Sequence, residues 1–154
     1  MAVLTSETEV SPLDRVYAVT TPGCSFDMLF NHANPLRGGA VRSAGGSLMV
    51  YAGGDRASEM KQWSEEKIIA TFVADIVKLF PQLDGKIAET IVHKWPVGLS
   101  YNRPGFDLSP VRRFVANSEA IQLCGDYFGD LGNMEIAASS GVRAARRVRE
   151  SLVE

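Results

Sequence analysis

Glycine and proline divide the first third of this chain into short apolar runs, and these frequent breaks limit the folds that the chain can adopt. Three runs have strand length: residues 15–20 (RVYAVT), 26–31 (FDMLFN) and 47–52 (SLMVYA). Runs rich in β-branched and aromatic residues that stop at Gly or Pro breakers are typical of strands. Further turn signals lie at residues 34–35, 37–39 and 44–46, with a short stretch at 40–43 between them. Because these strands follow one another without a helical segment, we expect an antiparallel sheet.

A helix is predicted over residues 64–80. Ser64 is a favourable N-cap, and the two glutamates after it place negative charge where the helix dipole favours it. Apolar residues then follow at helical spacing: Ile69, Phe72, Val73, Ile76, Val77 and Phe80. Pro81 ends the helix, since the residue before a proline avoids the helical conformation. A strand over residues 86–95 and a loop over 96–110 are expected next.

The last third of the chain carries the pattern most specific for a ligand site. Residues 120–124 (AIQLC) predict a short buried strand that leads directly into Gly125 and Asp126. Asn133 can cap a final helix over about residues 134–152, whose positive end would point back toward the exit of that strand. A carboxylate at that exit can accept hydrogen bonds from sugar or polyol hydroxyls. Taken alone, Asp126 is more often a plain turn residue, and the strand and helix around it reverse that preference.

Composition and charge argue against several classes of function. Sixteen Lys and Arg against eighteen Asp and Glu leave a net charge of −2, which disfavours a nucleic-acid partner, and the arginines of the final helix are expected to be a solvated face. No apolar run approaches the roughly 18 residues of a membrane span. Residues 1–12 lack a secretory pattern and are expected to be loosely held. Cys24 and Cys124 form no CxxC pair, which favours a reducing cytoplasm, and neither His32 nor His93 has a metal-ligand spacing.

Two runs near the carboxyl end form a signature: LCGDYF (residues 123–128) and MEIAASSGVRAARRV (residues 134–148). They resemble the carboxy-terminal signature of FAD-dependent amine oxidases and protoporphyrinogen-oxidase-like flavoenzymes. In that family a strand ends in Gly-Asp or a close variant, and a helix then begins with a Met-Glu-Gly-Ala type sequence. The upstream HKWPVGLSYNRPG (residues 93–105) is similar to the family's tryptophan-bearing strand and the loop after it. The resemblance spans residues 45–152 and is closest over 121–148.

The resemblance implies a role for each residue of this signature. The Asp126 carboxylate, after Gly125, would accept a hydrogen bond from the ribityl chain of FAD. The backbone N–H of Met134, at the helix start capped by Asn133, would face the pyrimidine carbonyl of the flavin and stabilise charge on the reduced ring. The residues implied to contact the isoalloxazine or the substrate are Tyr127, Phe128 and Trp95. No residue is assigned a catalytic role.

Two departures from the family pattern stand out. Ile136 occupies a position where many members have glycine, so the first helical turn can pack differently against the flavin. The family's amino-terminal fingerprint, a GxGxxG between a strand and a helix, does not occur in the sequence. The chain therefore resembles the carboxy-terminal part of a flavoenzyme, without an evident cradle for the pyrophosphate.

These observations predict an α+β protein in two parts after a flexible segment at residues 1–14. Residues 15–115 would form an antiparallel sheet of the substrate-domain type with one long helix. Residues 116–154 would form the closing strand and C-terminal helix of a Rossmann-like FAD-binding domain. The implied function is oxidation of a small-molecule substrate by hydride transfer to FAD, once a partner chain supplies the dinucleotide-binding part.

Two alternatives stay open: a flavin-free binding or scaffolding module derived from such an enzyme, and a truncated product with no role of its own. The predicted strand at 120–124 is apolar on both faces, which is typical of a strand covered on both sides. The final helix can cover only one of them. Since an uncovered strand is an association site, we expect a hetero-oligomer or self-association through residues 120–125 and 137–145.

Overall fold

The computed structural model describes residues 1–8, 12–33, 44–118, 120–129 and 132–152. The chain divides into two compact units, Met1–Lys94 and Trp95–Glu154, which are described one at a time. This division falls before the boundary predicted between residues 115 and 116, so the predicted loop at 96–110 belongs to the second unit. The turn signals and the short stretch predicted within residues 34–43 lie outside the described residues.

The first unit is built on a five-stranded antiparallel sheet. Its strands are β1 (Ala2–Thr5), β2 (Ala18–Thr20), β3 (Met28–Asn31), β4 (Gly46–Tyr51) and β5 (Ile87–Ile91), in the spatial order β2-β3-β4-β1-β5. The predicted antiparallel sheet is confirmed, because every neighbouring pair of strands runs antiparallel. The strands predicted at 15–20, 26–31 and 86–95 are longer than the observed ones, whereas the strand predicted at 47–52 has the length of β4 and is shifted by one residue. A 3-10 turn at Pro12–Arg15 occupies the first residue of the run predicted at 15–20.

One face of this sheet carries the hydrophobic core. Val3, Leu29, Leu48 and Val50 alternate with less buried positions and lie in one cluster with the buried side chains of helix α2 (Glu65–Leu79). The helix contributes its own buried side chains: Ile68, Phe72 and Ile76. Phe26 meets Phe72 edge to face, with ring centroids 5.4 Å apart. Burying each such side chain stabilises the fold by roughly 1.5–3 kcal/mol relative to leaving it in water.

The bounds of α2 follow from its caps, and the helix predicted over residues 64–80 is confirmed. The Ser64 hydroxyl oxygen accepts a hydrogen bond from the Lys67 N–H at 3.2 Å. At the other end the Phe80 N–H donates to the Ile76 carbonyl, and Pro81 then opens a 3-10 turn. A second, shorter helix, α1 (Gly54–Met60), was not predicted, because the glycines at 53 and 54 weaken the helical signal of the residues after them.

The amino-terminal residues are not the loosely held segment that the sequence predicts. β1 lies between β4 and β5 and pairs with both, from Ala2 opposite Met49 and Ile91 to Thr5 opposite Gly46. Val3 is 0% exposed. The prediction of flexibility for residues 1–14 is wrong over 2–5, because β4 and β5 offer backbone groups on both sides and four residues are enough to fill the gap between them.

The second unit contains two helices, α3 (Ser109–Asn117) and α4 (Met134–Ser151), and a 3-10 turn at Asp126–Phe128. At the start of α3 the hydroxyl and the backbone N–H of Ser109 donate to Asp107, which holds the pKa of that carboxyl below its usual range. Among the described side chains of this unit, only Val115 and Ser140 are buried. Large apolar side chains stay exposed, among them Val97, Leu99, Tyr101, Ile121, Val142 and Leu152. The unit therefore has little hydrophobic core within its described residues.

Residues 120–124 do not form the predicted closing strand, and Cys124 is exposed rather than buried. A strand needs the backbone groups of a neighbour, and no described strand pairs with this segment. Its polar groups bond to the end of α3 instead. The Ile121 N–H donates to Ser118 Oγ at 3.0 Å, and Gln122 Nε2 donates to the Ser118 carbonyl at 2.6 Å. The prediction of a buried strand is therefore wrong, whereas the predicted C-terminal helix is present as α4, so the Rossmann-like closing element is not confirmed.

No helix within the described ranges is both long enough and apolar enough to cross a membrane.

The position of β1 can be tested by truncating one of its buried side chains. We expect Val3→Ala to lower the free energy of unfolding by about 1.5–3 kcal/mol, because it leaves a cavity in the middle of the sheet. Leu4→Ala is the matched control, since Leu4 lies on the other face and is 38% exposed. Urea unfolding followed by circular dichroism measures both. Equal losses for the two variants would contradict the central position of β1.

Candidate functional site

A pair of hydrogen bonds between α4 and the segment before it builds the candidate site. The Gly125 N–H donates to Ser140 Oγ at 2.9 Å, and the Ser140 hydroxyl lies 3.0 Å from the Gly125 carbonyl oxygen and 2.8 Å from that of Ala137. Ser140 is 4% exposed, so these bonds are shielded from water. We call this contact the Ser140–Gly125 clasp. It fixes the peptide that immediately precedes Asp126.

Position 125 requires glycine. Its φ is 156°, a conformation that other residues rarely adopt, and a Cβ there would lie 2.4 Å from Cε1 of Tyr127. The chain uses this freedom to turn sharply out of residues 120–124 into the 3-10 turn at Asp126–Phe128. The Gly-Asp pair is therefore a structural unit, in which the glycine makes the turn and the aspartate follows it.

Asp126 is half-buried where three segments of the second unit meet. Ser100 Oγ lies 3.4 Å from Asp126 Oδ2. A Cβ on Gly132 would lie 2.6 Å from Ser100 Oγ and 2.7 Å from Asp126 Oδ2, so the chain passes close to both groups. Since a hydroxyl faces only one of its oxygens, the carboxylate retains capacity to accept hydrogen bonds from a ligand.

The start of α4 presents unpaired backbone donors. Asn133 caps the helix as predicted, with its Oδ1 accepting a hydrogen bond from the Ile136 N–H at 2.8 Å. The N–H groups of Met134 and Glu135 find no acceptor among the described residues, and the Met134 side chain is 89% exposed. These two N–H groups lie at the positive end of an 18-residue helix, where they can donate hydrogen bonds to a partly negative oxygen.

Ile136, the departure from the family pattern, is accommodated by a glycine. A Cβ on Gly129 would lie 2.7 Å from Cδ1 of Ile136, so the isoleucine packs directly over the backbone at 129. The larger side chain in the first turn of α4 therefore points to the 3-10 turn and uses space that a glycine at 129 leaves open.

The aromatic residues predicted to contact a ligand have different surroundings. Tyr127 and Phe128 are half-buried, and their ring centroids lie 4.7 Å apart. Trp95 opens the second unit and is 72% exposed. The 3-10 turn therefore brings Tyr127 and Phe128 next to Asp126. The substrate role of Trp95 depends on the resemblance alone.

In the first unit, the sheet face turned away from α2 is aromatic. Tyr17, Phe30 and Tyr51 form a row in which neighbouring ring centroids are 5.8 and 5.6 Å apart, each pair edge to face. Leu4 and Ile91 extend the apolar surface across β1 and β5. This face stays largely exposed, and we call it the open aromatic face.

A comparison with protein-family models matches residues 15–149 to the family described as flavin containing amine oxidoreductase. The match covers most of the chain, which therefore belongs to this family of flavin-dependent oxidoreductases. The resemblance drawn from residues 123–128 and 134–148 is thereby confirmed. No curated protein and no solved structure matches the chain.

Three residues of the site could not be found from the resemblance alone. Ser140 has a weak sequence signal, as the polar member of an otherwise small and apolar face that contains Ala137 and Ala144. Ser100 and Gly132 have none, because their proximity to Asp126 depends on how loops fold together. In the part of the chain that the structure describes, no group of three His, Cys, Asp or Glu side chains is placed to hold a metal ion.

Removing the Ser140 hydroxyl should loosen the turn that carries Asp126. Ser140→Ala leaves the Gly125 N–H without its acceptor, at a cost of about 1–3 kcal/mol. We expect the Gly125 amide to exchange with solvent about ten- to a hundredfold faster, measured by NMR. Ser139→Ala is the matched control, since the Ser139 hydroxyl bonds only to the Ile136 carbonyl of its own helix. If both variants left Gly125 equally protected, the clasp would not hold the turn.

Proposed function

We propose that this chain forms the flavin-facing part of an amine-oxidase-like enzyme that oxidises a small-molecule substrate by hydride transfer to FAD. The observation that carries the proposal is the joint placement of Asp126 and the α4 start, each positioned within the second unit by a specific contact. Bound flavin would supply the redox chemistry, accepting a hydride from a C–N or C–C bond that is being oxidised.

The residues at this site suit the flavin end of FAD. Asp126 offers a carboxylate acceptor for a ribityl hydroxyl, and the free N–H groups of Met134 and Glu135 offer donors for a carbonyl oxygen that gains negative charge on reduction. Asn133 supports this role by capping the next turn, which leaves the first two donors unengaged. Gly125 and Ser140 would act indirectly, by holding the turn in place.

The pyrophosphate end of FAD requires residues of another kind. A GxGxxG loop leading into a helix cradles the phosphates in dinucleotide-binding domains, and the sequence has no such pattern. We therefore infer that the dinucleotide-binding part comes from a partner chain, in a hetero-oligomer. Two exposed apolar side chains, Ile121 and Val142, lie within the surfaces expected to be covered by that partner, and self-association would cover the same surfaces.

The substrate side of the proposal is an apolar small molecule. Tyr127 and Phe128 would border it near the flavin, together with Trp95. Cys24 and Cys124 form no CxxC pair, which favours a reducing compartment, and we therefore propose a cytoplasmic location.

FAD retention tests the proposal directly. The chain alone should bind FAD weakly or not at all, and co-expression with the product of the neighbouring reading frame should give a yellow complex. In that complex Asp126→Ala should weaken FAD binding about ten- to a hundredfold, because a charge-assisted hydrogen bond is worth roughly 1.5–3 kcal/mol. Flavin absorbance after gel filtration at a series of FAD concentrations measures the change.

Two variants make this experiment specific. Asp126→Asn keeps one acceptor oxygen and should lose less affinity than Asp126→Ala. Glu150→Ala removes an exposed carboxylate at the far end of α4 and should leave FAD retention unchanged. Unchanged flavin content in Asp126→Ala would mean that Asp126 is only a turn residue. A complex that never binds flavin would favour the flavin-free binding module.

A further inference from the structure

The second unit contains a concave pocket of about 340 Å³ whose lining includes three arginines and, among the described residues, no acid. Arg112 comes from α3, and Arg143 and Arg147 lie one turn apart on α4. The rest of the lining is largely apolar and includes Leu123 and Phe128. Such a volume lies at the lower end of the range for small-molecule sites.

Two of the arginines are held in place by backbone carbonyls. Arg112 Nη2 donates to the Phe128 carbonyl at 2.9 Å, and Arg147 Nη1 donates to the Val115 carbonyl at 3.4 Å. A guanidinium has five N–H donors, so each keeps several for a ligand after these bonds. Arg143 makes no hydrogen bond or ion pair within the part of the chain that the structure describes. Three cations around one concavity repel one another, and an anion bound between them would relieve that repulsion.

Gln122 adds an unsatisfied acceptor to the same lining. Its Nε2 donates to the Ser118 carbonyl, whereas its Oε1 is buried without a donor among the described residues. A buried acceptor of this kind is costly unless a donor reaches it, and a ligand hydroxyl or a water molecule can supply one.

We propose that this pocket binds a small organic oxyanion, with a phosphate or carboxylate group held by the arginine forks and an apolar portion against Leu123 and Phe128. Planar guanidinium groups match both oxyanions through paired hydrogen bonds. The pocket shares Phe128 and Ser140 with the candidate flavin site and lies within the surface proposed for a partner, so it is a site of the chain without that partner. None of its three arginines has a part in the proposed flavin role. The pocket also assigns a role to arginines that the sequence predicts to be a solvated face.

The test is isothermal titration calorimetry of the purified chain with phenyl phosphate, benzoate and benzyl alcohol. These probes share an aromatic ring and differ in the group that the arginines would hold. We expect saturable one-to-one binding of phenyl phosphate, benzoate or both, weakened by added salt, and none of neutral benzyl alcohol. Tighter binding of phenyl phosphate would identify a phosphate ligand, and tighter binding of benzoate a carboxylate ligand.

Arg143→Ala is the informative variant, because Arg143 bonds to no backbone group whose loss would disturb the fold. It should weaken binding about tenfold or more, and Arg143→Lys should also weaken it by removing the fork while keeping the charge. Arg149→Ala is the matched control, an exposed arginine of the same helix outside the lining. Absence of saturable binding to the unaltered chain, or equal weakening by Arg143→Ala and Arg149→Ala, would overturn the proposal.

Discussion

The Ser140–Gly125 clasp ties α4 to the turn before Asp126 in a unit that buries little apolar surface among its described residues. Only Val115 and Ser140 are buried among its described side chains, whereas the first unit buries a continuous cluster from Val3 to Leu83. The Ser140 hydroxyl accepts a hydrogen bond from the Gly125 N–H, and its one proton faces the carbonyls of Gly125 and Ala137. This contact is worth on the order of 1–2 kcal/mol, which matters most where the hydrophobic contribution is small. It helps to hold the turn that carries Asp126.

The two units differ in which of their surfaces are covered by other residues of the same unit. The sheet of the first unit is covered on one face by α2, and its other face is the open aromatic face. In the second unit, residues 120–124 have an apolar strand-like sequence but no neighbouring strand among the described residues, so their polar groups bond to the end of α3.

The sequence predicted those elements that depend on residues close to one another along the chain. Ser64 and Asn133 cap their helices, and Phe72 and Ile76 of the predicted apolar face are buried in the core, where the unpredicted Ile68 joins them. The signature at residues 123–128 and 134–148 indicated the family that the comparison shows. Each of these predictions depends on residues within a few positions of one another.

Where the cause is nonlocal, the sequence was less informative. β1 is an interior strand because β4 and β5 lie on either side of it. The sequence of residues 2–5 does not by itself indicate these neighbours. The segment at 120–124 is not a strand for the opposite reason, since nothing described pairs with it. Ser100 and Ser140 reach Asp126 and Gly125 across 26 and 15 positions of chain. Such contacts follow from the fold and have no pattern of their own.

The central claim is that the chain folds one self-sufficient unit and one that a partner must complete. Hydrogen exchange followed by mass spectrometry, on the chain alone and in its flavin-binding complex, measures this directly. Peptides from β1, β4 and α2 should be strongly protected in both samples, because their hydrogen bonds lie around the core of the first unit. Peptides covering residues 120–124 should exchange rapidly in the lone chain and become protected in the complex. Strong protection of residues 120–124 in the lone chain, unchanged on adding the partner and FAD, would contradict a partner-completed second unit.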